Sequence, residues 1–428
     1  MSLRSAHSIL SVLTCAFLLM MGAQAFPQEN ENVANSTQEL DASEADGTQL
    51  RGEGSKWNEF ENDYFTTRIG SGLLLDTAAY DQDDNSREQM DLEATTKLRD
   101  LRILLKGKIK GSPRLSYTLG YMYDGANEVW RFRQTGLMIQ VPEYDGNIFI
   151  GRTKETFSTS KIMVGYFGWT NERSAANDAL LPILADGIKW TGGGFGGKFV
   201  YSFGAFTNAF ARHIESFVKN DSQLTARGVW LPFVGTGSQS VLHLSVAGRS
   251  GTAYDDKLQY RSKPESFAAQ SYAIDTGKFP ATASNMLGLE AYYRPGPLMF
   301  GSEYYFNQVS SQEAGDPLFQ GGEVFAAYLL TGEIRPYNEK GAFFESVKPS
   351  RDALHGGPGA WEFVLRYSYA DMNSGNIEGG RFRRITPMVN WHISDNVRLE
   401  LAYGYSVLDR FGLEGHTQYL QTRIQLQM

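Results

Sequence analysis

The sequence has one cysteine, and beyond its first residues it has no apolar run long enough for a membrane-spanning helix. Cys15 lies within the apolar stretch 9–21, which follows Arg4 and precedes A-Q-A at 23–25. These are the charged, apolar and small-residue regions of a secretory signal peptide, so we predict a signal peptide at 1–25. The mature chain would then have no cysteine, which excludes disulfides, thiol catalysis and cysteine-ligated metals.

Without a run of about 18 apolar residues after position 25, any membrane role must come from β-strands. The composition of 45 glycines, 13% aromatic residues and only 14 prolines favours a β-rich protein with many turns. A chain of this length would form one large barrel or two to three soluble domains.

The net charge of −8 is unevenly distributed. Residues 26–56 carry seven acidic and two basic side chains and few aromatic residues. Such a segment cannot bury enough apolar surface to fold alone, so we predict a disordered acidic periplasmic tail or linker at 26–56. Residues 57–428 still have a net charge of −4. Any preference for anions would therefore depend on the residues that line a local site.

From residue 63 onward the sequence alternates with the period of two that is typical of strands. In 96–111, for example, Leu101 and Ile103 share one face, while Arg102, Lys106 and Lys108 share the other. A soluble sandwich would show the same alternation. The number of segments, and lengths near the roughly 9–11 residues of a spanning strand, favour an all-β transmembrane antiparallel barrel of about 16 strands. The segments are 65–76, 96–111, 114–124, 131–141, 146–153, 186–191, 198–208, 223–233, 240–249, 286–294, 297–309, 324–333, 360–371, 381–393, 397–408 and 417–428.

Two details refine this barrel prediction. The alternation in 131–141 changes phase near Gly136, which indicates a β-bulge. Aromatic residues near strand ends are candidates for interfacial girdles against outer-membrane lipid, with ordinary core aromatics as the alternative. They are Tyr121, Tyr123, Trp361, Tyr367, Tyr369, Tyr403 and Tyr405.

The stretch 151–181 fits neither the strand nor the helix period. A long loop without regular secondary structure is usually functional. We predict that it forms an inward-folded constriction loop at about 154–186, with the remaining strands as the wall around it.

Short motifs spread over most of the mature chain resemble the phosphate-selective porin O and P family. They are R-I-G-S-G-L-L-L-D-T-A-A-Y (68–80), G-R-T-K-E-T-F-S (151–158), N-E-R-S (171–174), Y-R-S-K-P-E-S with D-T-G-K-F (260–279), G-P-L-M-F-G-S-E-Y-Y (296–305), Y-L-L-T-G-E-I-R-P-Y (328–337), V-K-P (347–349) and G-A-W-E-F-V-L-R-Y-S-Y (359–369). The resemblance implies a 16-stranded, homotrimeric outer-membrane porin of a Gram-negative-type bacterium, whose third loop passes anions, with phosphate or polyphosphate as candidates.

The family's loop carries a Thr/Ser-Ser-Lys run and then a Glu-Arg pair. The similar positions here are Thr159, Ser160 and Lys161, followed by Glu172 and Arg173. This chain departs from the family in the apolar insertion 162–171 between them, and in its last residue, since the aromatic that the outer-membrane assembly machinery reads in such porins is replaced by Met428.

Cationic side chains that hand an anion onward are the chemistry that anion conduction requires. We predict that Lys154, Ser160, Lys161 and Arg173 form the anion-binding constriction. A basic ladder on strand faces assigned to the lumen would continue it, comprising Arg68, Arg102, Lys106, Lys108, Arg131, Arg133, Arg366 and Arg398. The alternative is that these cations pair with lumen acids and brace the loop, as Glu362 and Glu400 near the last two of them indicate.

Nothing in the sequence indicates an enzyme. The histidines are scattered, and no nucleophile motif is present. We therefore expect no cofactor, no metal and no nucleic-acid partner, and we predict a passive anion-preferring diffusion channel. The alternatives are a general or differently selective porin, an outer-membrane barrel enzyme, and a structural barrel plugged by the insertion.

Overall fold

The computed structural model describes residues 58–125, 128–207, 220–234 and 240–428. Within these ranges, sixteen antiparallel strands form one closed sheet, because the first strand pairs with both the second and the last. The prediction of an all-β antiparallel barrel of about 16 strands is confirmed. The predicted signal peptide 1–25 and acidic tail 26–56 lie outside the described residues.

The barrel strands follow one another around the wall in chain order. They are β1 Thr66–Gln82, β2 Thr95–Ile109, β3 Ser112–Asp124, β4 Val129–Val141, β5 Gly146–Thr153, β6 Ala185–Gly194, β7 Phe199–Thr207, β8 Asn220–Phe233, β9 Ser240–Ala253, β10 Ala283–Pro295, β11 Leu298–Ser310, β12 Leu318–Leu329, β13 Ala360–Ser374, β14 Ile377–His392, β15 Val397–Arg410 and β16 Leu413–Gln427.

Each of the sixteen predicted segments corresponds to one of these strands. Many strands are longer than predicted, because polar and glycine-rich residues near their ends still pair in the ladder; β1, for instance, has 17 residues. The largest displacement is in β12, which begins six residues before the predicted 324–333. The bulge predicted near Gly136 is confirmed, since the register of β3 and β4 shifts between Phe132 and Thr135.

The two faces of the wall have the predicted polarity. In β2, Ile103 is 49% exposed on the outer face, whereas Arg102 and Leu104 are buried on the inner face. Girdle candidates including Trp361 and Tyr403 are also exposed outward. This pattern is that of a membrane barrel, in which lipid covers the outer face.

Three long connections have buried side chains that pack inside the barrel. They are 154–184, 254–282 and 330–359, with Phe157, Tyr260 and Phe343 each only 1% exposed. Since successive strands are antiparallel, the connections alternate between the two ends of the barrel. The first two connections therefore enter from one end and the third enters from the opposite end.

These connections contain the short elements of the fold. Helix α1 (Asp84–Gln89) follows β1, while α2 (Thr159–Ile162) and α3 (Ala175–Leu180) belong to the first long connection. The other two contain the two-residue ladders Lys257–Leu258 with Phe279–Pro280, Arg261–Ser262 with Ile274–Asp275, and Tyr337–Asn338 with Phe343–Phe344. In the described ranges, no helix has the length and apolar character needed to cross a membrane.

Candidate functional site

The connection 154–184 is fixed to the wall by a buried carboxylate on β11. Glu303 accepts hydrogen bonds from Ser158 Oγ at 2.6 Å and from the backbone N–H of Ser160 at 2.8 Å. Ser158 is also the N-cap of α2, where its side chain accepts from the N–H of Lys161. Charge-assisted hydrogen bonds of this kind are short and strong, so they hold the first half of the loop in one position.

Glycines of the wall lie directly beneath the loop. A Cβ added to Gly288 on β10 would approach the ring of Phe157 to 2.7 Å. One added to Gly321 on β12 would approach Ala176 of α3 to the same distance. The wall therefore needs glycine at these positions, because only a residue without a side chain allows so close an approach.

The apolar insertion fills part of the lumen. Trp169 stacks on Phe325 of β12 with ring centroids 4.5 Å apart, and both belong to a buried cluster with Met163, Tyr166 and Phe344. This cluster lies against β10–β15 and includes residues of both the first and the third long connection. The insertion thus provides a core inside the barrel, as a plug would.

Buried ion pairs surround this core, and we call this part of the lumen the packed region. Its ion pairs are Arg227–Glu290, Arg249–Glu155, Arg335–Glu362, Arg366 with Glu265 and Glu323, and Arg398–Glu400. The arginine and glutamate side chains are all at most 4% exposed. Several of the arginines also reach the loop: Arg366 donates to the carbonyl of Glu172 at 2.8 Å, and Arg398 donates to that of Gly168 at 2.7 Å.

A cavity of about 200 Å³ lies beside β2–β5, and we call it the basic cavity. Eleven basic and six acidic side chains line it, giving a net of five positive charges. The basic residues are Arg99, Arg102, Arg131, Arg133, Arg152, Lys154, Lys161, Arg173, Arg261, Lys263 and Arg423. This local excess is opposite in sign to the charge of the whole chain.

Part of this charge is compensated. Glu172 accepts two hydrogen bonds from Arg99, at 2.9 and 3.0 Å, and a third from Arg423 at 2.5 Å. Arg102 pairs with Asp100, and its guanidinium lies 4.3 Å from the centroid of the Tyr166 ring. These pairs join the wall to the inner loop.

Three lining cations have no carboxylate partner among the residues the structure describes. Arg173 Nε donates to the carbonyl of Ser160 at 2.6 Å, and Lys263 Nζ donates to that of Phe267 at 3.0 Å. Arg133, on β4, makes no ion pair within the described part of the chain. Cations without a carboxylate partner are not neutralised by the protein, so they can attract an anion in the cavity.

Burial makes two lysines in this lining easier to deprotonate. It lowers the pKa of Lys161 to about 8, although Asp178 lies 3.1 Å from its Nζ. Burial likewise lowers the pKa of Lys263 to about 8. Both residues lie in inner connections rather than in strands, and both therefore titrate close to neutral pH.

The structure brings all four predicted constriction residues into this lining. Lys154 Nζ donates to the carbonyls of Ile162 and Met163 at 2.8 and 2.7 Å, so its ammonium fixes the insertion. Ser160 is held by Glu303, and Lys161 and Arg173 lie beside it.

The predicted ladder divides into three groups. Arg102, Arg131 and Arg133 line the basic cavity. Arg366 and Arg398 lie in the packed region, in the bracing arrangement considered above as the alternative. Arg68, Lys106 and Lys108 lie outside the cavity lining, where Arg68 and Lys106 are opposite each other on β1 and β2.

Sequence reasoning missed five lining cations. Arg99 occupies a β-bulge, since the register of β1 and β2 steps from Asp100 to Leu98, and simple alternation does not anticipate that change. Arg152 and Arg423 lie on polar strand faces and could have been found from alternation. Arg261 and Lys263 lie in a connection, and nothing in the sequence indicates that it enters the lumen.

Within the described residues, no group of three or more histidine, cysteine, aspartate or glutamate side chains is arranged to hold a metal ion. The basic cavity is lined by guanidinium and ammonium groups, which would interact with a solute through charge and hydrogen bonds.

A family model described as phosphate-selective porin O and P matches residues 68–428. Porin O of Pseudomonas aeruginosa is 27% identical over 299 residues, which are 62% of this chain and 66% of that protein. An uncharacterised protein of Caulobacter vibrioides is 30% identical over 212 residues, 49% of this chain and 42% of that protein. The chain thus spans less than two thirds of the length of either relative.

Solved structures share the architecture at low identity. The anion-selective porin of Comamonas acidovorans has a TM-score of 0.51 at 12% identity, covering 85% of this chain and 100% of that chain. OmpF of Salmonella typhi, in complex with daunomycin, has a TM-score of 0.54 at 12% identity, covering 86% of this chain and 100% of that chain. At these identities the likeness shows the fold alone.

Proposed function

The chain belongs to the phosphate-selective porin O and P family, and we propose that it is a passive outer-membrane diffusion channel in which the basic cavity selects anions. It performs no chemistry and is not an enzyme. The connection at about 154–186 acts as the constriction loop. Inorganic anions, phosphate and polyphosphate among them, are the candidate solutes.

One observation carries this proposal: the net positive lining of the basic cavity in a chain whose total charge is −8. An enclosed site with low-dielectric walls concentrates the field of its own side chains, so the local charge outweighs the distant acidic residues. Salt further screens charges that lie more than about 10 Å away. The net charge of the cavity lining, rather than the net charge of the protein, therefore sets the ion selectivity.

The cations of the cavity differ in how they would handle an anion. Arg133 and Arg173 have no carboxylate partner among the described residues, and we assign them the direct contact. Arg99 and Arg423 are neutralised in part by Glu172, and we assign them the positioning of the loop. Conduction needs sites that accept an ion and then release it. A few cations whose charge is not fully neutralised by carboxylates meet this requirement.

The assembly we propose is a homotrimer, as one solved neighbour, the trimer form of OmpT from Vibrio cholerae, shows for its own chain. The C-terminal strand closes the barrel by pairing with β1, and the backbone of Met428 pairs with that of Ser71.

The test is single-channel recording in a planar bilayer under a KCl gradient, with phosphate titrated in. We expect the reversal potential of the wild type to indicate anion preference and Arg133→Gln to reduce that preference. Arg87→Gln, which removes an equivalent charge from the exposed helix α1, is the matched control and should behave as the wild type. A cation-selective wild type would refute the proposal.

A plugged structural barrel is the second candidate, and the core built by the insertion favours it. Complete absence of conductance from correctly folded, inserted protein would support the plugged barrel and exclude the channel. A conducting but indifferent pore would instead identify a general porin on the same barrel.

A further inference from the structure

We infer that the basic cavity prefers organic carboxylates with an apolar body over strongly hydrated inorganic anions such as phosphate. This inference rests on the proposed function, because it names the class of anion that the same cavity would take. It departs from phosphate selectivity, and it follows from the apolar side chains in the lining rather than from its charges.

One short segment of the lining presents an exposed apolar side chain. Four consecutive apolar residues, Leu181 to Leu184, connect α3 with β6 and line the basic cavity. Ile183 is 44% exposed, whereas the other three are buried. A large apolar side chain that is exposed in a charged cavity offers a solute with an apolar body a surface on which to bury that body.

The charged and apolar groups of the lining lie close together. Arg99 lies 4.5 Å and Lys263 Nζ lies 5.1 Å from the centroid of the Phe267 ring, and all three residues line the cavity. A solute that reaches these cations must therefore lie near apolar surface as well. The six strand cations, with Arg133 among them, complete the lining on the wall.

The two classes of anion would respond to this lining in opposite ways. Phosphate can accept hydrogen bonds from the cations of the lining, but the apolar side chains beside them cannot replace the rest of its hydration shell. A carboxylate with an apolar body can accept a bidentate hydrogen bond from an arginine and bury its body against the apolar segment. The cavity is thus suited to the second class.

The experiment measures the block of chloride current by benzoate, acetate and phosphate in planar bilayers. Benzoate and acetate share a carboxylate and differ in their apolar body. We expect the half-blocking concentration of benzoate to be about tenfold lower than that of acetate or phosphate, the factor for burying roughly 50–60 Å² of apolar surface. Ile183→Ser should reduce this ratio towards one.

Leu354→Ser is the matched control, since Leu354 is a comparably exposed apolar loop residue that does not line the cavity. It should retain the wild-type ratio. An anion-selective wild type that phosphate blocks as well as benzoate does would overturn this inference and leave the proposed function standing. An unchanged ratio in Ile183→Ser would overturn it too, while a cation-selective wild type would remove both proposals.

Discussion

Every arginine of the packed region is paired with a glutamate, whereas Arg133 and Arg173 of the basic cavity have no carboxylate partner among the described residues. In the packed region, Arg366 of β13 lies 3.2 Å from Glu323 and donates to the carbonyl of Glu172 at 2.8 Å. In the basic cavity, Arg133 has no ion pair with any described residue. Both are lumen cations, but an inner connection brings hydrogen-bonding partners to the first.

This difference separates structural cations from cations that are available to a solute. A buried arginine needs a carboxylate and further acceptors, because the cost of removing its charge from water is otherwise too large. Arg133, by contrast, is half-buried and lines the basic cavity, so its guanidinium can be reached by an anion there. The position of the inner connections therefore decides which role a lumen arginine has.

The largest expected effect is that of breaking a pair in the packed region. Arg335→Met should destabilise the barrel by about 3–5 kcal/mol, since Glu362 would remain buried without its guanidinium partner. Arg133→Gln should change stability by no more than about 0.5 kcal/mol. Urea unfolding in detergent, followed by circular dichroism, measures both.

The double variant Arg335→Met with Glu362→Leu is the control for this prediction. Because it removes both charges, it should recover most of the lost stability. Equal costs for Arg335→Met and Arg133→Gln would show that the two regions do not differ in the way the contacts indicate.

An intermediate effect is expected from the wall glycines beneath the loop. Gly288→Val should cost about 1–3 kcal/mol by overpacking, because the new side chain would meet the ring of Phe157 and displace the first half of the loop. The displaced loop should also become cleavable by protease in the folded barrel. Gly248→Val is the matched control, since nothing lies within 4 Å of a Cβ at Gly248. Equal protease sensitivity in the two variants would contradict the proposed contact.

The smallest effect concerns the pH dependence of the basic cavity. Burial lowers the pKa of Lys161 and of Lys263 to about 8, so both are mostly protonated at pH 7 and lose their charge as the pH rises to about 9. Anion preference should therefore decrease over this range, as measured by reversal potentials. The variant with arginine at both positions should not show the decrease, because arginine remains charged. A wild-type reversal potential that is constant from pH 7 to 9 would argue against titration of these lysines.

Much of the wall was predictable, because alternation is a local property of each strand. The pattern around Arg102 and Ile103 is enough to assign one face to lipid and the other to the lumen. Arg99 was not predictable in the same way, since its bulge depends on how β1 and β2 pair. Lys263 was not predictable either, because the path of a connection depends on packing partners that are distant in the sequence.

The sequence by itself therefore determined the barrel, its lumen-facing polarity and the position of the loop that enters it, since side-chain alternation and the length of a segment are encoded residue by residue. Only the tertiary structure decided which lumen cations are compensated, because that depends on carboxylates and carbonyls delivered from other strands and connections. Arg366 and Arg133 look equivalent in the sequence, but Glu265 and Glu323 reach the first, whereas no described acidic residue pairs with the second.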